Sequence, residues 1–342
     1  MQSRIRKQND IIYYSIWYQI PYDDYITGRI IETFKQDCID NGIELSTLNQ
    51  YTWVIECGPE GISAREIEKL YSWLMLYGVN SQNFCVVFSC IEDVTNLPYS
   101  AIVIPDSLIN HGQIIHNNIN WRSMPMKHQF VCLMRRASID RAQFANLLLE
   151  NFDQNSMLIT LGADLTSSEE LAELIWPHNY PIVIDQDSQV ASKDFNHNYH
   201  NPTVDDFYHA PINLVVESSS QFDPTIWRKI FITEKTYKAF SWHQFPIWYA
   251  VPGLVNEVRK LGFDLFDDIF ENHYYDQIRS NHKRRQEIIN LLQRVVVKDL
   301  VKLRQEHWAR LEANVELLKD LSKSYNDRSS RLITALTGLQ NV

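Results

Sequence analysis

Glycine is scarce in this chain: 10 among 342 residues, beside 12 prolines and 5 cysteines. So few glycines exclude a collagen-like fibre, and a hydrophobic share of 45% against 22% charged excludes a disordered chain. The cysteines (Cys38, Cys57, Cys85, Cys90, Cys132) are odd in number, none stands in CxxC spacing, and most have apolar neighbours. That argues against a disulfide framework or a zinc site and fits a reducing compartment. No apolar run reaches the roughly 18 residues that a membrane span needs. The run Ile11–Ile20 is short, rich in Tyr and closed by Gln19 and Pro21, so it reads as a buried strand and not a signal peptide. A soluble, cytoplasmic protein is expected. Positive charge is also in short supply, with 32 Lys and Arg against 42 Asp and Glu for a net charge of -10. Such a body repels DNA, RNA and anionic lipid, which argues against nucleic acid as a partner over its whole surface. The deficit is uneven, because residues 1–270 carry a net -14 and residues 271–342 a net +4. GxGxxG, Walker A, GxSxG and HExxH motifs are all missing.

What is present is an alternation of apolar strands and amphipathic helices. At about 150 residues per domain, the length suggests two domains or one large one. Strands are predicted at Ile11–Ile20, Tyr51–Cys57, Phe84–Cys90 and Ala101–Ile104, with helices over Tyr25–Asn41 and Ser63–Tyr77. A second series begins near Gln129: strands at Phe130–Met134, Met157–Leu161, Pro181–Asp185, Ile212–Glu217 and Pro246–Val251, and helices over Arg141–Phe152, after Thr166, from Thr233 to Trp242 and from Leu254 to Leu261. This pattern is α/β, with parallel sheets covered on both faces. The polar stretch Asn117–His128 is a candidate linker, which gives domains at 1–125 and 126–280 and a basic helical tail at 281–342. Two such units would face a cleft, and ligands bind outside the carboxyl ends of their strands.

Several segments could carry chemistry. In Phe231-Ile-Thr-Glu-Lys235, Thr233 can cap a helix whose first-turn amides, with Lys235, make an anion site, while Glu234 can accept bonds from hydroxyls such as those of a ribose. An ordinary helix start with its usual early acid has the same spacing. Glu217 ends an apolar strand, where an acid must be paired or meet solvent. Phe130–Arg141 runs from a strand through Arg135 and Arg136 to Arg141 at a helix start, an arrangement that can clamp a diphosphate or be a solvated basic turn. Glu92 and Asp93 follow a strand and could supply a general base, with Asp23 and Asp24 as competitors and an acidic loop as the plain alternative. Metal signals are weak. His111, His116, His197, His200 and His209 lack the spacing of a metal motif, and Asp185-Gln-Asp187 could hold a hard cation or simply begin an acidic loop.

Read in order, Asn213-Leu-Val-Val-Glu217, Phe231-Ile-Thr-Glu-Lys235 with its helix, and Phe245-Pro-Ile-Trp-Tyr249 before a Gly resemble the donor-binding signature of the α1,3-fucosyltransferase family. Related phage and marine glycosyltransferases share the order, and Leu261-Gly-Phe-Asp-Leu-Phe-Asp-Asp268 is similar to theirs. The resemblance covers about residues 84–270. It implies a GT-B-like fold of two Rossmann-like domains with a C-terminal helical tail, and an inverting, metal-independent transfer from a nucleotide sugar, GDP-fucose or another, to a glycan or other hydroxyl acceptor. By the same resemblance Glu234 holds the ribose and Lys235 meets the phosphates. Phe231 fills the aromatic position, Arg141 neutralises the diphosphate, Glu92 is the base and Glu217 is the acid of a Glu-Asn pair. Ser218 stands where the family has Asn, and the insert Ser219–Ile230 is longer than usual. Both departures bear on the donor's identity.

Two other functions stay open: a transferase acting on modified bases of phage DNA, which the acidic first domain argues against, and a catalytically silent binding protein that keeps the fold. The tail could pack across the domains, self-associate or touch an anionic membrane, and the acids interspersed along it favour packing or self-association.

Overall fold

The computed structural model describes residues 5–16, 30–57, 64–88, 97–103, 108, 120–134, 138–161, 209–217, 230 and 232–337. The chain divides into two compact units: residues 1–109 with 227–231 and 323–342, and residues 110–226 with 232–322.

The sheet of the first unit has the strand order β1-β2-β3-β4-β5, where β1 is Ile5–Gln8, β2 Ile11–Ile16, β3 Thr52–Cys57, β4 Phe84–Phe88 and β5 Ser100–Val103. β2 to β5 run parallel, as their apolar sequences predict, but β1 is an addition. The polar start of the chain pairs antiparallel with β2 through a two-residue turn in which Asn9 takes φ 54°, a left-handed conformation that Asn tolerates. A four-residue strand reading Ile-Arg-Lys-Gln gives no apolar signal, so it escapes a reading based on hydrophobicity. Two helices, α1 (Ile30–Asp40) and α2 (Ala64–Met75), cover the sheet with Phe34, Cys38, Ile67, Leu70 and Leu74, all wholly buried. Phe34 sits 4.9 Å from Tyr14 and 5.0 Å from Trp53, ring centre to ring centre. Burial alternates along β2 and β4, so one face of this sheet is deeply buried and the other only partly.

The second unit differs. β6 (Phe130–Met134), β7 (Met157–Leu161), β8 (Ile212–Val216) and β9 (Phe245–Tyr249) form a wholly parallel sheet in the order β7-β6-β8-β9. Every residue of β8 and β9 is buried, the pattern of strands covered on both faces. After β6 the chain adds β7 on one side and then returns to add β8 on the other. That reversal is a topological switch point, the place where open parallel sheets leave a crevice at their carboxyl ends. The register pairs β6 with β8 only at Phe130–Ile212 and Val131–Asn213, whereas β6–β7 and β8–β9 are paired along five residues each. The carboxyl halves of β6 and β8 are thus not paired with each other.

Helices α3 (Ile139–Asn151), α4 (Glu234–Ser241) and α5 (Leu254–Lys260) follow their strands close to the predicted places. The strand at Pro181–Asp185 and the helix after Thr166 lie outside the described residues. The tail is not one helix but three: α6 (Asn281–Val296), α7 (Leu300–Glu306) and α8 (Trp308–Thr337). The first break comes where Asp299 caps α7 by accepting from the Lys302 amide at 3.0 Å. Up to Leu311 this tail belongs to the core of the second unit. Ile288, Ile289, Leu292, Val295, Trp308 and Leu311 are buried in one cluster with Phe130, Leu148 and Phe245. Trp308 stacks on His243 at 4.8 Å, and Arg304 donates to the His243 carbonyl at 3.2 Å.

Candidate functional site

Three segments named from the sequence meet at the carboxyl edge of the second sheet. β8 delivers Glu217 one residue beyond its end, where the side chain is wholly buried. A carboxylate there must be fully hydrogen-bonded. It is: Oε1 accepts from the Thr233 amide at 3.1 Å and from the Thr236 hydroxyl at 2.6 Å, while Oε2 accepts from the Thr233 hydroxyl at 2.5 Å. Trp248 Nε1 in turn donates to Thr236 Oγ1 at 3.0 Å. The acid of the quoted strand motif therefore fastens the start of α4 to the sheet, and its oxygens face protein donors. The structure thus shows Glu217 as a support for this helix start.

Thr233 takes an extended conformation and caps α4, as predicted, with its hydroxyl accepting from the Lys235 amide at 3.3 Å. Lys235 Nζ donates to the same hydroxyl at 3.2 Å and stands 3.4 Å from Glu234 Oε1. The two side chains are 19% and 17% exposed, so both reach solvent from a largely buried footing. A cation and first-turn amides together make an anion-binding end. Glu234 balances that charge and offers acceptor oxygens to hydroxyls.

Arg141 arrives from the other side of the switch point. Ser138 caps α3 by accepting from the Arg141 amide at 3.3 Å. Arg141, 8% exposed, donates from Nη2 of its guanidinium to the Glu217 carbonyl at 3.1 Å. Burial raises the Cys132 thiol pKa well above its usual range, with the positive charge of Arg141 opposing the rise.

Sequence reasoning passed over the polar cluster behind Arg141. Asp140, 2% exposed, accepts from the Tyr249 hydroxyl at 2.5 Å and pairs with Arg285 Nη1, which also donates to the Tyr249 hydroxyl at 3.3 Å. Arg284 lies 5.5 Å from the centre of the Tyr249 ring and donates to the Ile278 carbonyl at 2.7 Å. Burial, then Asp140, pushes the Tyr249 phenol well above its ordinary pKa, so it stays a protonated donor. The signal was in α6: Arg284 and Arg285 sit three or four residues before Ile288, on the same stripe as Leu292 and Val295.

Phe231, Glu92, Asp93, Asp23, Asp24, Arg135, Arg136, Asp185 and Asp187 lie outside the described residues. Among the described residues no group of three or more His, Cys, Asp or Glu is placed to share a metal ion, and no helix is long and apolar enough to cross a membrane. A groove of about 490 Å³ opens at the opposite, amino-terminal edge of the sheet. It gathers no charge of one sign, because Lys127 and Lys298 are matched by Asp153 and Asp299, and both acids cap helical turns. The chemistry is concentrated at the carboxyl edge.

No protein-family model and no curated protein matches the chain. Among solved structures it is similar to an apo OtsA structure, at 10% identity and a TM-score of 0.45, covering 96% of this chain and 80% of that one. A trehalose-6-phosphate synthase, described in work on glycosyltransfer with retention using bisubstrate glycomimetics, gives 10% identity, a TM-score of 0.41, and coverage of 95% and 81%. The α,α-trehalose 6-phosphate synthase of Burkholderia multivorans gives 11%, a TM-score of 0.38, and coverage of 97% and 73%. The chemical reading of the site rests on the chain's own residues.

Proposed function

We propose that the chain is a GT-B-type glycosyltransferase whose second unit holds a nucleotide-sugar donor at the β6–β8 switch point. The observation that carries this is the convergence of Arg141 and the Thr233–Lys235 helix start on Glu217. Cationic side chains and the positive end of a helix at that edge are suited to a diphosphate, and Glu234 to the ribose hydroxyls beside it. In the mechanism, the acceptor hydroxyl attacks the anomeric carbon, the bond to the diphosphate breaks, and Arg141 and Lys235 stabilise the departing charge. Glu92 would take the hydroxyl proton, and direct displacement would invert the anomeric configuration. The resemblance favours a GDP-linked, fucose-like donor, no metal, and an acceptor held by the first unit.

Isothermal titration of GDP- and UDP-sugars tests the donor half. Wild type should bind at least one, and Lys235→Ala should weaken it by about 1.5–3 kcal/mol, the size of a charge-assisted hydrogen bond. Absence of binding by wild type, or unchanged affinity in the variant, would remove the assignment. Slow hydrolysis of the bound sugar nucleotide without acceptor separates a transferase from a silent binding protein. Glu92→Gln should then abolish turnover while leaving donor affinity intact.

A further inference from the structure

Behind Arg141 the hydrogen bonds close into a ring. The Tyr249 hydroxyl donates to Asp140 at 2.5 Å, and the next residue, Arg141, donates to the Glu217 carbonyl at 3.1 Å. The Glu217 amide then donates to the Tyr249 carbonyl at 3.1 Å. Arg285 locks the ring from α6 by pairing with Asp140 and donating to the Tyr249 hydroxyl. Three elements far apart in sequence, α3, β9 and α6, are thus joined at one buried point. A buried ion pair contributes little stability over an apolar replacement of the same shape, so its location is the informative property. It stands one residue from Arg141, and its tyrosine holds both the Asp140 side chain and the Glu217 backbone.

We infer that Asp140, Tyr249 and Arg285 are positioning residues that hold the first turn of α3, and with it the Arg141 guanidinium, in register with the end of β8. The inference rests on the proposal that Arg141 meets the donor diphosphate. Tyr249 keeps its proton, and Phe144 packs against its ring at 4.5 Å, so the ring would stay in place if only the hydroxyl were removed. Arg285 supplies a charge that no apolar residue on α6 could supply.

The test measures binding of GDP, UDP and inorganic pyrophosphate, with melting temperature alongside, in wild type, Tyr249→Phe, Arg285→Lys, Arg285→Met, Arg141→Ala and the Tyr249→Phe/Arg141→Ala double variant. Tyr249→Phe should stay folded and bind about tenfold more weakly. Arg285→Lys should retain more affinity than Arg285→Met, a rescue that loss of packing alone does not give. The losses from Tyr249→Phe and Arg141→Ala should not multiply, because both act through one guanidinium. If wild type binds and Tyr249→Phe and Arg285→Met bind equally well, the positioning role is overturned while the donor site stands. Fully multiplying losses overturn it too, since they show an action independent of Arg141. If folded wild type binds none of the three probes, the donor site is overturned and the inference goes with it.

Discussion

Glu217→Ala is the sharpest perturbation of the second unit. The carboxylate accepts from the Thr233 amide, the Thr233 hydroxyl and the Thr236 hydroxyl, all buried. Removing it strands three donors. A buried donor left unsatisfied costs about 1–3 kcal/mol, and relief from burying a charge offsets part of that, so a loss of about 3–5 kcal/mol is expected. Glu217→Gln keeps the shape and one acceptor oxygen for the Thr233 amide and the Thr236 hydroxyl. Its NH2 would face Thr233 Oγ1, which already accepts from Lys235, so one hydroxyl proton loses its partner and the loss falls to about 1–2 kcal/mol. Urea unfolding at pH 7, followed by the fluorescence of the buried Trp242, Trp248 and Trp308, reads both values. A loss under about 1 kcal/mol for Glu217→Ala, or a Gln variant as unstable as the Ala one, would refute the account of Glu217 as the clamp between strand and helix.

Titration gives a second prediction with opposing parts. Burial lowers the pKa of His243 and of His273 to about 4, so the folded state keeps them neutral while the unfolded chain protonates below its ordinary 6.5. Their contribution is present above pH 6.5 and is lost as pH falls toward 4, by about 3 kcal/mol each. Burial raises Asp276 to about 6, so its contribution is present below about pH 4 and is lost as pH rises through 6. Between pH 4 and 6.5 the aspartate therefore offsets part of the histidine effect, and Asp276→Asn should steepen the acid loss of stability in urea titrations. An equal or shallower slope would contradict the assignment. Trp308→Ala should cost about 3–5 kcal/mol, because it empties a buried ring that stacks on His243 and carries Arg304 on its face. A loss below about 1 kcal/mol in the same urea assay would show that the tail rests on the core without supporting it.

The sequence carried the parallel sheets clearly, because β8 and β9 are apolar but for Asn213 and the capped helix α4 lies between them in the chain. Thr233 was legible as a helix start for the same local reason, whereas α3 begins at Ile139 under a Ser138 cap, two residues before the Arg141 start expected from the sequence. Strand order was not legible: β6 lies between β7 and β8 through pairing of residues 82 apart, and the switch point that gives Arg141 and Glu217 a common edge exists only in that order. Nor was the direction in which Glu217 spends its charge, since a motif fixes a residue's place on a strand and not its partner.

The tail shows what a charge total leaves out. Its net +4 counts every side chain alike, yet Arg284 is 1% exposed and Arg285 7%, in keeping with the packing that its interspersed acids favour. Charge totals describe solvated side chains, whereas position along a 3.6-residue repeat decides which of them are solvated. Arg284 and Arg285 lie on the stripe that continues through Ile288, Leu292 and Val295, and a cation at a core position requires a buried partner. Asp140 is that partner for Arg285, 145 residues away. Spacing within α6 alone thus requires a buried acceptor somewhere in the chain, and the fold supplies it beside Arg141.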